Sequence, residues 1–183
     1  MIFKAIEFAA KAHSGQYRKK TKIPYIVHPL AVADILIEHN CPDEVVIAAV
    51  LHDTVEDTHV TLDDIKVHFG EKIAALVRDA SEPDKSQSWE KRKTHTIESI
   101  AHLPIDALVL ICADKLHNLK SIRKDLEKQG ESVWQRFNHP KEKQKWYFES
   151  ILAALRPRMR GSSYNPLFRE FETEVNRVFN LSI

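Results

Sequence analysis

Cysteine and glycine are scarce in this chain of 183 residues, which contains 2 Cys and 4 Gly. Cys41 and Cys112 form no Cys-x-x-Cys pair, so neither a disulfide framework nor a cysteine-rich zinc site is expected. Cys112 lies inside the apolar segment ALVLICADKL and is predicted to be a core residue. The few glycines and prolines, together with long stretches of Ala, Leu, Ile, Lys and Glu, favour helices over sheets. We therefore expect an all-α protein.

Long apolar runs are also absent. No run approaches the roughly 18 residues that a membrane span requires, and the first residues do not have the pattern of a signal peptide. The sequence therefore predicts a cytoplasmic protein with no membrane partner. Lys and Arg number 27 against 26 Asp and Glu, a formal net charge of +1. This balance does not give the broad positive field of a nucleic-acid-binding protein, so no nucleic-acid partner is expected.

Positive charge is nevertheless concentrated in three segments: RKKTK at 18–22, EKRK at 90–93 and KSIRK at 120–124. The simplest interpretation of any one segment is a solvated loop or helix face. Three of them near a carboxylate-rich site would instead suit a small polyanionic ligand.

Apolar periodicity and turn residues predict a series of helices. They are expected at 2–13, at 28–39, from 43 into the segment AAVLHDTVEDT at 48–58, and at 62–69, 71–80, 89–102, 106–128, 140–156 and 167–179. Thr61 and Gly70 are expected to cap the helix at 62–69. The basic segment at 18–22 and the polar segment SEPDKSQS at 81–88 are predicted loops.

The segment AAVLHDTVEDT is apolar until it reaches four ionisable residues: His52, Asp53, Glu56 and Asp57. A buried carboxylate is tolerated only when it is paired, hydrogen-bonded or bound to a cation. On a helix, residues three or four positions apart share a face, so one turn would present an imidazole and three carboxylates. The pattern therefore requires either ion-pair partners or a metal.

Two further segments repeat this pattern. The apolar run in ICADKLHNL ends in Asp114, with His117 and Asn118 one turn later, and His28 stands at the entrance of the helix that Pro29 begins. Alone, each residue is explained as a loop or capping residue. Together, two imidazoles and two carboxylates would suit one divalent cation such as Mn, Fe, Co or Zn, with positions left for water and substrate oxygens.

The segments RKKTKIPYIVHP, LHDTVEDT and ADKLHNL resemble the HD-domain phosphohydrolases, and in particular the hydrolase domain of RelA/SpoT-type alarmone enzymes. The chain looks like the small single-domain alarmone hydrolases, the group that includes the metazoan-type Spot homologue. The resemblance implies an HD-domain helical bundle formed by one domain at 1–183. Its motif-bearing core would span about 1–156 and a C-terminal helical extension about 157–183.

The resemblance also implies the reaction, the hydrolysis of guanosine 3′,5′-bis(diphosphate) to GDP and pyrophosphate with Mn²⁺, other divalent metals being open. His28, His52, Asp53 and Asp114 match the family's metal ligands, and Glu56 and Asp57 match the pair that acts on the attacking water. Matches to substrate-binding residues are Arg18 and Lys19 near the base and phosphates, Arg92 and Lys93 near the pyrophosphate, Asn118 at the ribose, and Tyr147 near the 5′ phosphates. His117 and Lys91 depart from the pattern of some relatives.

Two other functions remain open from sequence. The same site could serve a nucleotide phosphatase, such as one that removes the 2′ phosphate of NADPH, or the fold could be a non-catalytic nucleotide sensor. Two separate basic segments suggest a ligand with two anionic arms. The 3′ arm is expected at the metal and at 91–93, and the 5′ arm towards Lys115, Lys120 or Tyr147. The oligomeric state is left open.

Overall fold

The structure, a computed structural model, describes residues 1–82 and 86–179. Within these ranges the chain forms ten α-helices and one 3₁₀ helix: α1 (Ile2–Ala12), α2 (Val27–Glu38), α3 (Asp43–Leu51), α4 (Thr54–Asp57), α5 (Leu62–Phe69), α6 (Glu71–Ala80), α7 (Trp89–Ser99), α8 (Ile105–Gln129), the 3₁₀ helix Gly130–Arg136, α9 (Lys141–Met159) and α10 (Asn165–Phe179). Apart from one antiparallel bridge between Tyr17 and Pro24, these ranges contain no β-structure. The all-α prediction is confirmed.

Two apolar helices form the centre of the bundle. Residues 45–51 of α3 and 107–113 of α8 are all buried, and Cys112 is among them as predicted. α8 packs against α2, α3, α6, α9 and α10. A helix segment that is buried on all sides carries no polar face. The ionisable groups of α3 and α8 therefore follow the apolar runs along the chain, and the two sets lie at the same end of the core.

The chain does not continue as one helix from α3 into the ionisable motif, as the sequence predicted. α3 ends at Leu51, and Glu56 and Asp57 belong to the short helix α4. The Thr54 hydroxyl donates to the Leu51 carbonyl at 2.7 Å, and Nδ1 of His52 donates to the Ala49 carbonyl at 2.6 Å. Such side-chain bonds compete with the helical hydrogen-bond ladder. The interruption is therefore encoded by the motif itself.

The predicted caps of α5 are confirmed. Thr61 and Asp64 form a reciprocal capping box, and Gly70 ends the helix with φ 92°, a left-handed value that glycine adopts without strain. The loop predicted at 81–88 is non-helical at residues 81–82 and 86–88, and its residues 83–85 lie outside the described residues. The basic segment at 18–22 forms the tip of a tight hairpin, in which Arg18 N–H donates to the Ile23 carbonyl at 2.9 Å.

The helix predicted to end at 156 continues through Pro157 to Met159. Proline inside a helix removes one hydrogen bond and normally breaks it. Here the last turn is held from outside, because the guanidinium of Arg158 donates to the carbonyls of Ile100, Ala101 and Leu103 at 3.2, 2.6 and 2.9 Å. Met159 itself is fully buried. Tertiary contacts therefore outweigh the local preference of the proline.

α10 packs on α8 and α9 and joins the same hydrophobic cluster that includes Ala5 of α1. The single domain at 1–183 stays a prediction, and residues 180–183 of the predicted extension lie outside the described residues. Among the described residues, no helix is both long and apolar enough to span a membrane.

Candidate functional site

Three helices bring ligand atoms to one point. His28 in the first turn of α2, His52 directly after α3, and Asp114 in α8 each place one nitrogen or oxygen atom within 4.8 Å of the others. Nε2 of His28 lies 3.1 Å from Oδ1 of Asp114, and Nε2 of His52 lies 3.9 Å from the same oxygen. The sequence predicted that these residues converge, and they do.

Asp53, the fourth residue of the predicted set, lies close to both imidazoles. Its Oδ1 lies 3.2 Å from Nε2 of His52, and its Oδ2 lies 3.5 Å from Nε2 of His28. Each oxygen therefore faces a different imidazole. The side chains of Asp53 and Asp114 are 13% exposed, so two carboxylates lie close together away from bulk water. Such a pair is unfavourable without a compensating positive charge.

The tautomer of His52 tests whether a metal fits this position. Its Nδ1 faces the Ala49 carbonyl, which can only accept, so Nδ1 carries the proton. In the neutral ring that binds a metal, Nε2 then presents a lone pair towards the carboxylates, and this buried atom has no hydrogen-bond partner among the described residues. Burial opposes protonation of His52, but the charges of Asp53 and Asp114 raise the pKa of this imidazole, so a positive charge is favoured at this point. A lone pair facing carboxylates in a buried site is costly unless a cation lies between them. Two imidazoles and two carboxylates form a donor set for a divalent metal ion.

His117 orients His28 in the same way. The Nδ1 atoms of the two rings are 2.7 Å apart, so one must donate to the other. Burial and then the adjacent His28 lower the pKa of His117 to about 4, which leaves His117 neutral and able to accept. With a metal bound, Nδ1 of His28 would donate to His117, because its Nε2 lone pair would then be directed at the centre. The sequence placed His117 one turn after Asp114 and as a departure from the family pattern, but it did not predict this contact.

Tyr25 joins two of the motif carboxylates. Its hydroxyl lies 2.8 Å from Oδ2 of Asp53 and 2.9 Å from Oδ2 of Asp57. A phenol has one proton, so Tyr25 donates to one carboxylate at a time. Burial and then the charge of Asp53 raise the pKa of Tyr25, which keeps this proton in place. Tyr25 was missed in the sequence, although it lies three residues before His28 in the motif IPYIVHP.

Glu56 differs from Asp53 in its hydrogen-bond partner and in the direction of its pKa shift. Its Oε2 accepts from the backbone N–H of Glu82 at 3.2 Å. Burial, and then the charges of Asp53 and Glu82, raise the pKa of Glu56 above the ordinary value for a glutamate. A carboxylate with a raised pKa is a stronger base. Glu56 is therefore suited to accept a proton from a water molecule near the metal position.

Asn118 links the metal position to the basic hairpin. Its Nδ2 donates to Oδ1 of Asp114 at 2.7 Å, and its Oδ1 accepts from Nη2 of Arg18 at 3.0 Å. Lys115 contacts the other oxygen of Asp114 at 2.6 Å. Burial opposes ionisation of Asp114, but Lys115 and His28 hold the pKa of this carboxyl well below its usual range. The anionic form of Asp114 is therefore stabilised.

A cavity of about 700 Å³ opens beside these residues. Most of the predicted site residues that have no role at the metal line it, together with His28: Arg18, Lys19, Lys93, Asn118 and Tyr147. Further cations line its walls: Lys115, Lys120, Lys124, Lys128 and Arg136. The cavity is therefore suited to a polyanionic ligand larger than a single phosphate.

The predicted pyrophosphate-binding residues are already ion-paired. Lys93 contacts Oε1 of Glu82, and Nε of Arg92 lies 3.6 Å from Oε2 of the same residue. Lys91, the remaining basic residue of the segment, is exposed. The sequence missed Glu82 because nothing in the polar segment at 81–88 distinguishes it from its neighbours.

Tyr147 lies on the metal side of the cavity. The ammonium of Lys93 is 4.5 Å from the centre of its ring, and that of Lys115 is 5.8 Å away. The sequence assigned Lys93 to one anionic arm of the ligand and both Lys115 and Tyr147 to the other. The structure instead places all three in one cluster, so this division is corrected. Helix packing, which brings α7 and α9 together, decides this grouping.

The other basic segments are partly neutralised. Lys19 donates to Oδ1 of Asn138 at 2.7 Å, and Lys20 donates to the Gln135 carbonyl at 2.9 Å, so the hairpin is attached to the end of the 3₁₀ helix and to the segment that follows it. Lys120 forms an ion pair with Glu170 at 2.8 Å. The simple interpretation of a basic segment as a set of local ion pairs therefore holds for part of 120–124.

A bundle whose helix ends bring together two histidines and two aspartates, with a His-Asp pair between α3 and α4, is the architecture of HD-domain hydrolases. Comparison with known proteins agrees, because the HD domain family matches residues 5–142. The chain is 41% identical over 126 residues to guanosine-3′,5′-bis(diphosphate) 3′-pyrophosphohydrolase MESH1 of Homo sapiens. The aligned residues cover 67% of this chain and 70% of that protein.

Two solved structures are similar throughout. A protein of Listeria monocytogenes EGD-e has 41% identity and a TM-score of 0.77, covering 86% of this chain and 96% of that one. A metazoan ortholog of SpoT that hydrolyses ppGpp has 31% identity and a TM-score of 0.78, covering 96% of this chain and 93% of that one. The chain belongs to the HD-domain family, in the branch that contains these ppGpp hydrolases.

Proposed function

We propose that this protein hydrolyses guanosine 3′,5′-bis(diphosphate) to GDP and pyrophosphate with a divalent metal ion, Mn²⁺ being the metal that we expect. The observation that carries the proposal is the convergence of His28, His52, Asp53 and Asp114 beside Glu56, at the edge of a cavity with cationic walls. The activities of the MESH1 and SpoT relatives support the same reaction.

The metal would be held by His28, His52, Asp53 and Asp114. When bound, a divalent ion lowers the pKa of water and polarises a phosphoryl oxygen. Neighbouring groups would orient three of these ligands: the Ala49 carbonyl would orient His52, His117 would orient His28, and the Tyr25 hydroxyl would hold Asp53. A mixed set of nitrogen and oxygen donors suits Mn²⁺ better than a thiolate site would.

Glu56 would act as the general base. Its raised pKa makes its carboxylate a better proton acceptor than an ordinary glutamate, and the N–H of Glu82 holds Oε2 in position. Asp57 shares the Tyr25 hydroxyl with Asp53, so it would orient the water rather than compete for its proton. The attacking water would then lose its proton to Glu56 as it meets the phosphorus atom.

The substrate would extend along the cavity from the metal. Its 3′ diphosphate would contact Lys93 and Tyr147, which line the cavity, and Arg92, which shares the carboxylate of Glu82 with Lys93. Asn118 would contact the ribose, where the 3′ oxygen leaves and requires a donor. Arg18 and Lys19 would contact the base and the nearest phosphates. The 5′ diphosphate would then reach the lysines of α8 that line the other side of the cavity, Lys120 and Lys124.

Product analysis tests this proposal. Protein loaded with Mn²⁺ is incubated with the alarmone, with GDP and with NADPH, and the products are separated by ion-exchange chromatography. We expect GDP and pyrophosphate in equal amounts from the alarmone, and intact GDP in the control. Inorganic phosphate as the sole early product, or faster turnover of NADPH at equal concentration, would replace the substrate assignment by the phosphatase alternative. Because the proposed substrate is a nucleotide, we propose that the protein acts in the cytoplasm.

A further inference from the structure

Glu82 occupies an unusual position between the base and the cations of the site. Its backbone N–H donates to Glu56, while its carboxylate contacts Lys93 and lies 3.6 Å from Nε of Arg92. The side chain of Glu82 is 12% exposed, and those of Arg92 and Lys93 are 19% and 15% exposed. A half-buried carboxylate with two cationic partners is a strong local ion pair rather than a solvent-screened one.

The same cations are those that a terminal phosphate of the substrate would need. Lys93 lies over the ring of Tyr147, and the Tyr147 hydroxyl is buried with no hydrogen-bond partner among the described residues. Both side chains line the cavity. Lys93, Arg92 and the Tyr147 hydroxyl therefore form a set of donors for an anion, and the anion that contacts two of them in this structure is Glu82.

We propose that Glu82 is an intramolecular competitor for pyrophosphate, an inference that rests on the proposed function. Its carboxylate holds Lys93 and Arg92 until the terminal phosphate of the 3′ diphosphate displaces it. After hydrolysis, its return to the two cations displaces the pyrophosphate. Pyrophosphate is a tight ligand for a site with a divalent metal and several cations, so an internal anion that lowers its affinity favours turnover.

The competition predicts a specific change in binding. Glu82→Gln keeps the size of the side chain and the backbone N–H that holds Glu56, but it removes the charge that competes for Lys93. We expect metal-loaded Glu82→Gln to bind inorganic pyrophosphate about tenfold more tightly than the wild type in calorimetry. Inorganic phosphate, which has a single phosphoryl group and less negative charge than pyrophosphate, should change in affinity by less than about threefold.

Two further variants separate competition from a general change in charge. Glu90→Gln removes a carboxylate from the same region, but Glu90 pairs with Lys143 and does not line the cavity, so pyrophosphate affinity should remain as in the wild type. In a Lys93→Met background, Glu82→Gln should give little gain in pyrophosphate affinity, because the principal contested cation is absent. Glu82→Ala provides the same test if Glu82→Gln does not fold.

Three results would overturn the inference. Weaker pyrophosphate binding by both Glu82 variants would mean that the carboxylate organises the cations for the ligand. An unchanged affinity would mean that Glu82 is not displaced, and an equal gain for phosphate and pyrophosphate would mean a general electrostatic effect. Hydrolysis of the alarmone by the wild type is measured on the same preparation. Binding of pyrophosphate requires no turnover, so failure of the inference about Glu82 can be told apart from failure of the proposed function.

Discussion

The metal side and the substrate side of the site are built differently. On the metal side, His28 and His52 are buried and their carboxylates are 13% exposed. The groups that hold them include the Ala49 carbonyl in the core and the hydroxyl of Tyr25, just before α2. On the substrate side, the cations lie on a hairpin, on α7 and on the outer part of α8. They are held by carboxylates and amides of other elements, such as Glu82, Asn138 and Glu170.

The charged groups on the two sides therefore respond differently to a ligand. The partners of the metal-side groups remain in place when a ligand enters, so the site is already organised for catalysis. The partners of the substrate-side cations are anions or carbonyl groups that a phosphate can replace, so these cations are stable without ligand and available to it. Substitutions on the metal side should therefore change metal content and kcat, and those on the substrate side should change KM.

The largest effect should follow from Asp53→Ala. Asp53 faces both imidazoles and is one of two carboxylates in the donor set, so its loss leaves the cation poorly neutralised. We expect loss of tight metal binding and of turnover, measured by elemental analysis and by GDP release. Asp34→Ala, at an exposed position of α2, should retain both. Full metal content in an active Asp53→Ala protein would remove Asp53 from the ligand set.

Glu56→Gln should separate chemistry from metal binding on the same side. The amide keeps the shape and can still accept from the Glu82 N–H, but it cannot take a proton. A general base contributes about 10²- to 10⁴-fold, so kcat should fall by that factor while metal content stays at the wild-type level. A nearly normal kcat would transfer the role of base to Asp57 or to bulk water.

The metal side is also the part that the sequence predicts best. Each ionisable residue there follows or begins an apolar helix, and the apolar runs fix where those helices enter the core. The positions of His28, His52, Asp53 and Asp114 therefore follow from local pattern and from the known arrangement of the family. Some residues contact these groups from a distant part of the chain, as His117 contacts His28. The sequence around such a residue does not show which residue it contacts.

The substrate side shows why the remaining features were not predicted. Lys93 belongs with Tyr147 and Lys115 only because α7 packs against α9, and sequence spacing does not contain that packing. Glu82 lies outside the helix that carries Lys93, so no helical period relates the two residues. The same limit explains the continuation of α9 through Pro157, which depends on carbonyl groups more than fifty residues earlier in the chain.

On the substrate side, Arg18→Ala should raise KM for the alarmone by about ten- to a hundredfold, because a charge-assisted hydrogen bond contributes about 1.5–3 kcal/mol. The hairpin keeps its backbone bonds, so Tm should change little. The matched control is Lys22→Ala, which removes a positive charge from the same hairpin at an exposed position that does not line the cavity. A large drop in Tm with unchanged KM would make Arg18 a structural residue that holds Asn118.

The smallest effect should come from Glu170, which pairs with Lys120 and His39 and connects α10 to the substrate side. Burial opposes its ionisation, but hydrogen bonds from Lys120 and His39 hold the pKa of Glu170 below its ordinary value of 4.5. A carboxyl with a depressed pKa in the folded state stabilises the protein above the unfolded value and loses this contribution as pH falls through the folded value. The stabilisation should therefore be present at pH 7 and lost below about pH 4.5.

Glu170→Gln tests this sign. At pH 7 the variant should be less stable than the wild type by at most about 1 kcal/mol, since the pair is partly exposed and screened by solvent. Below the folded pKa the two proteins should have the same free energy of unfolding, as measured by urea denaturation across this range. Glu149→Gln, at an exposed position 3.8 Å from Lys145, is the control and should follow the wild type. A stability difference for Glu170→Gln that persists unchanged at low pH would mean that packing of α10, rather than the charge of Glu170, holds this helix against the substrate side.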